Sequence, residues 1–126
     1  MERLIHEYLQ ALQAASVERL LALFSPDAIV HSPLYGAQPA DIFYRNLFRD
    51  SAASYISLQG IYWQEDTAKA AAHFHYHWTL ASGEQTLFEV VDLFEFDYQE
   101  KISSLRILYD TAQTRPAFDR QQNQGR

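Results

Sequence analysis

Ala71-Ala72-His73-Phe74-His75-Tyr76-His77-Trp78-Thr79-Leu80, and seven residues later Phe88-Glu89-Val90-Val91-Asp92-Leu93-Phe94-Glu95-Phe96, alternate with a period of two. That period belongs to β-strands, whose successive side chains point to opposite faces. Phe74, Tyr76, Trp78 and Leu80 therefore share one face of the first strand, and Phe88, Val90, Asp92, Phe94 and Phe96 share one face of the second. The intervening Ser82-Gly83-Glu84 reads as a turn, so the two strands form a hairpin. The period of two begins near Tyr55 and predicts strands over 54–64, 67–81, 85–98 and 101–112, with Glu65-Asp66 and Gln99-Glu100 as the other turns. Consecutive hairpins predict an antiparallel sheet. Strands this long twist strongly and must curl around whatever covers their concave face.

The cover lies upstream. Leu4, Ile5, Tyr8, Leu9 and Leu12 recur at helical spacing and predict a helix over 2–14. Ser16 is placed to cap a second helix with Val17, Leu20, Leu21 and Phe24 inward, stopped by Ser25-Pro26-Asp27. Ala28-Ile29-Val30-His31 reads as a short strand and Ser32-Pro33-Leu34-Tyr35-Gly36 as a turn. Pro39 then opens a third helix with Ile42, Phe43 and Leu47 on its apolar side and Arg45 and Arg49 on its polar side. The fold class is α+β, three N-terminal helices packed on a strongly curved antiparallel sheet, as a single domain over 1–112. Residues 113–126 have few apolar anchors beyond Phe118 and read as a polar, mobile tail.

Composition narrows the function. The chain has 126 residues, 48% hydrophobic and 21% charged, enough to bury a core without staples. A net charge of −6 with no basic cluster argues against nucleic acid and anionic lipid surfaces. With 0 cysteines there is no disulfide framework, thiolate nucleophile or cysteine-ligated metal, and a reducing cytoplasm is the expected location. The first residues do not read as a secretory signal, and no apolar run is long enough for a membrane helix.

The order of elements resembles the nuclear transport factor 2-like superfamily, which includes ketosteroid isomerases, SnoaL-like polyketide cyclases and scytalone dehydratase. The likeness covers roughly residues 4–112 and is most specific at Leu23-Phe24-Ser25-Pro26-Asp27-Ala28-Ile29-Val30 and at Val91-Asp92-Leu93-Phe94-Glu95-Phe96 with Lys101-Ile102. It implies a cone-shaped fold enclosing a small apolar ligand. In ketosteroid isomerases a helix Tyr and a neutral strand Asp donate hydrogen bonds to an oxyanion. The resemblance carries those roles to Tyr8 and Asp92. The acidic proton shuttle of that pattern falls on Ser32, which cannot move a proton at neutral pH without its own base. His31 is the one replacement base nearby.

The residues themselves point to the same pocket. Asp92 is the single charge on an aromatic strand face, and a carboxyl group that loses hydration there favours its neutral form. The opposing reading is an Asp paired to an Arg or a Tyr hydroxyl for packing alone. The expected lining is Ser32, Phe43, Phe74, Tyr76, Trp78, Phe88, Val90, Phe94, Leu105 and Tyr109. Such a site suits an isomerase, cyclase or dehydratase acting on a small hydrophobic carbonyl compound, with no cofactor. A non-catalytic dimeric binding module is the alternative.

His73, His75 and His77 share the outer face with Leu87, Glu89, Val91 and Leu93. Residues two apart on a strand are about 7 Å apart, so three imidazoles in a row cannot converge on one ion. Two can, with Glu89 or Glu95. A homodimer through this outer face ranks ahead of a metal site, so no metal is expected. Histidine protonation is expected to weaken such a dimer as the pH falls.

Overall fold

The computed structural model describes residues 2–124. Helix α1 (Glu2–Gln13) buries Ile5, Tyr8, Leu9, Ala11 and Leu12, the stripe that the spacing predicts. Ala15 takes a positive φ of 54° and ends it. Ser16 then caps α2 (Val17–Leu21), its side chain accepting the Arg19 N–H at 3.2 Å. This helix is shorter than expected, because Phe24 already belongs to β1 (Phe24–Ser32). A register shift between Phe24 and Ile29 accommodates Pro26, which has no N–H to give a ladder.

A short β2 (Gly36–Pro39) pairs back on β1, and α3 (Ala40–Arg49) follows. Its inward face is Ala40, Phe43 and Tyr44, with Leu47 partly buried. Ile42, read from sequence as inward, is 46% exposed, and Tyr44 takes the place expected of it. The spacing 40, 43, 44, 47 is the regular helical stripe, and Ile42 lies off it.

Four long strands complete the sheet: β3 (Ser51–Trp63), β4 (Lys69–Leu80), β5 (Gln85–Phe96) and β6 (Ile102–Leu108). Their antiparallel hairpins and the inward faces of β4 and β5 are as predicted. The sheet as a whole is mixed. Its order is β2-β1-β6-β5-β4-β3, and β1 joins β6 in parallel. The connection from β1 to β6 runs through α3 and three strands, so no local signal announces the pairing. Tyr62 and Trp63 both stay at the rim, 59% and 39% exposed, with Trp63 stacked on Phe96.

Residues after Thr111 do not form the polar tail expected. Helix α4 (Thr114–Gln124) buries Thr114 and Ala117. Gln121 accepts the Ser82 N–H at 2.7 Å and donates to the Asp50 carbonyl at 3.0 Å, while Arg120 pairs with Glu84. Besides Ala117 and Phe118 the anchors are polar side chains, which a search for apolar positions passes over.

Candidate functional site

The concave face of the sheet and the helices enclose a narrow cavity. Tyr8 and Leu12 reach it from α1, Phe43, Tyr44 and Leu47 from α3, and Phe74, Tyr76 and Trp78 from β4. Phe88, Val90 and Asp92 come from β5, Ile107 and Tyr109 from β6 and its end, and Ser32 and Tyr35 from the end of β1 and the turn after it. The volume is about 50 Å³, room for roughly three or four waters.

Eight of the ten expected lining residues take their places, Phe94 and Leu105 being the other two. Those two are buried one layer deeper. Phe94 meets the edge of Tyr8 at 5.2 Å and pairs across the strands with Leu105, so α1 fills the space in front of them. Leu12, Leu47 and Ile107, which the periodicity turns inward, also line the cavity, and Tyr44 and Tyr35 are additions that the sequence reading lacks. Tyr44 was findable, since three- and four-residue spacings link it to Phe43 and Leu47. Tyr35 was not, because a turn has no periodicity.

Asp92 is 1% exposed, and its Oδ1 has no hydrogen-bond partner. Its cross-strand neighbours are Ala72 and Ile107, neither of which offers a side-chain donor. Loss of hydration raises its pKa well above the usual carboxylate value. A neutral Asp92 carries an O–H to donate.

Tyr8 and Tyr44 hydroxyls lie 2.7 Å apart. Burial raises both pKa values, so both keep their protons. One O–H serves the mutual bond and the other remains to donate. Tyr76 bonds Ser54 Oγ at 2.7 Å, its pKa pushed up to about 12 mainly by burial. Tyr35 donates to Asp50 at 2.7 Å and is held between Phe43 and Phe118, which fixes one wall.

Ser32 lines the cavity, but its Oγ already accepts the Tyr35 N–H at 3.0 Å. His31 does not join Tyr8 and Asp92. On a strand that sends Val30 and Ser32 inward, it faces the other way, paired in register with Arg106. The imidazoles of β4 likewise lie on the outer face, His77 bonded to Gln85 at 3.1 Å.

A family model described as a SnoaL-like domain matches residues 5–105. The chain belongs to the SnoaL-like family. No curated protein matches it. Among solved structures, this SnoaL-like chain resembles PrhC from Penicillium brasilianum at a TM-score of 0.82 and 11% identity, covering 98% of this chain and 88% of that one. It resembles an NTF2-like protein of unknown function from Burkholderia pseudomallei at 0.77 and 17% identity, covering 90% and 92%. It also resembles SalBIII, described as an epoxide hydrolase/cyclase-like enzyme in pyran ring formation, at 0.76 and 14% identity, covering 86% and 89%. At such identities these structures establish the cone-shaped nuclear transport factor 2-like fold expected of the sequence, and nothing about chemistry. Among the described residues no helix of the SnoaL-like chain is long and apolar enough to cross a membrane.

Proposed function

We propose that this SnoaL-like protein binds a small, mostly apolar molecule through one carbonyl or enol oxygen, with neutral Asp92 and the spare hydroxyl of the Tyr8–Tyr44 pair as donors. The observation that carries this reading is the buried, unpartnered Asp92 Oδ1 at an otherwise apolar cavity. An orphaned buried oxygen costs about 1–3 kcal/mol, a cost that a ligand offering an acceptor to the acid can offset. Donors converging on an oxygen would also stabilise an oxyanion. Isomerase, cyclase or dehydratase chemistry further needs a proton acceptor, and among the lining residues the only carboxyl group is Asp92 itself. Binding is therefore the better supported half of the proposal.

Size sets a condition. A cavity of about 150 Å³ holds benzene, three times the volume here. The ligand must displace lining side chains such as Phe88 and Tyr109, two partly buried rings with centroids 4.6 Å apart. Carbon-detected NMR of the Asp92 carboxyl tests the donor: it is expected to stay neutral well above pH 4, and ordinary titration near 4 would sink the proposal. Titration with cyclohexanone, a plain carbonyl probe, is expected to shift Asp92 and Tyr8 signals in the natural protein and to leave Tyr8 unshifted in Asp92→Leu.

The outer face supports a second proposal, a homodimer. Leu87, Leu93, Leu108 and Tyr55 are 61%, 39%, 45% and 64% exposed there, large apolar side chains interspersed with the imidazoles. Sedimentation is expected to give a dimer that Leu87→Asp converts to monomer. A natural chain that stays monomeric at high concentration would remove the idea.

A further inference from the structure

We infer that His73, His75 and Glu89 form a surface site for a borderline divalent metal ion, with zinc as the test case. The three donors belong to one chain and do not depend on the ligand cavity, which lies on the other face of the sheet. His73 and His75 stand two apart on β4, so both rings leave the same side. The register places Glu89 directly across from His75, while Glu95 is across from Lys69 and paired to it at 3.3 Å. Pairing thus selects Glu89 over Glu95 as the carboxylate.

Glu89 Oε2 is 2.8 Å from His73 Nε2 and 3.5 Å from His75 Nε2, and all three ligand atoms lie within 4.8 Å of one another. Bonds of about 2.0–2.1 Å in a tetrahedral site put neighbouring ligand atoms roughly 3.4 Å apart. The 3.5 Å separation already sits at that figure, the 2.8 Å hydrogen-bonded pair has to open slightly, and the two imidazole nitrogens lie within 4.8 Å of each other. The carboxylate stands beside His73 Nε2 in a hydrogen bond, whose proton a metal ion would displace as that nitrogen becomes a ligand. Outward positions remain open for water. Two imidazole nitrogens with one oxygen suit zinc, nickel or copper and discriminate against magnesium and calcium, which take oxygen ligands. His77, one more alternate position along and bonded to Gln85, stands outside the cluster.

Calorimetric titration of the untagged, metal-free chain with zinc chloride at pH 7.5 is expected to show one ion per chain, and magnesium chloride no heat. His75→Gln and Glu89→Gln should each weaken zinc binding by at least the roughly 10- to 100-fold that loss of even an outer-shell partner brings. Both positions are exposed, and circular dichroism confirms that each variant is folded. Imidazole nitrogen NMR should show zinc-induced shifts confined to His73 and His75. Absence of binding, affinity unchanged in either variant, or shifts at His6, His31 or His77 instead would overturn the assignment.

Discussion

Asp92→Asn is expected to flatten a decline in stability that the natural protein shows as the pH rises above about 4. In the fold burial raises the Asp92 pKa well above its ordinary value. In the unfolded chain it ionises near its ordinary value of about 3.9. Between those two values the folded state holds one proton more than the unfolded state, so stability falls with rising pH. Stability falls by about 1.4 kcal/mol per pH unit, from its full value below about pH 4 until the raised pKa is passed. Asparagine keeps the shape and cannot ionise. Urea unfolding of both proteins at intervals from pH 4 to 8 measures the difference, in which the exposed carboxylates cancel. Parallel curves would mean that Asp92 is charged in the fold, and the donor role would fall with it.

The largest loss of stability should come from Trp78→Ala. Trp78 is 2% exposed, its indole N–H donates to Ser51 Oγ at 2.7 Å, and Ser51 in turn donates to the Leu47 carbonyl at 2.6 Å. Trp78 therefore lines the cavity and ties β4 to the start of β3, through the Ser51 that caps the end of α3. Removing it combines lost transfer energy with a new void and should cost about 3–5 kcal/mol. That is a large share of the roughly 5–15 kcal/mol typical of a domain. Ser51→Ala leaves the indole N–H without a partner and should cost less, about 1–3 kcal/mol. Denaturant unfolding at one pH ranks the two. Equal and small effects would show that the cavity floor is held mainly by its neighbours.

The same rules explain how much was readable in advance. Alternation along β4 and β5 places Phe74, Tyr76, Trp78, Val90 and Asp92 inward, because a sheet with one buried face admits only one parity. Helical spacing likewise puts Tyr8 on the buried stripe of α1. These patterns are local, and local patterns survive without tertiary knowledge. The burial of the Asp92 carboxyl group was likewise open to inference, since it lies on the aromatic face of its strand.

Tertiary structure decided the rest. Whether an inward residue lines a cavity or is covered depends on which helix lies above it, so Phe94 and Leu105 are core while Tyr44 and Tyr35 are wall. The parallel pairing of β1 with β6 joins segments more than 70 residues apart and brings Ser32 to the cavity with His31 turned away. Helix α4 holds through Gln121 and Arg120, whose partners are far off in sequence. The hairpin strands, their faces and the carboxyl group on the aromatic face of β5 were thus determined by sequence alone, because periodicity and turns act between neighbours. The mixed sheet, the true lining and the His73–His75–Glu89 cluster needed the three-dimensional register, because each depends on contacts that form only once distant strands have paired.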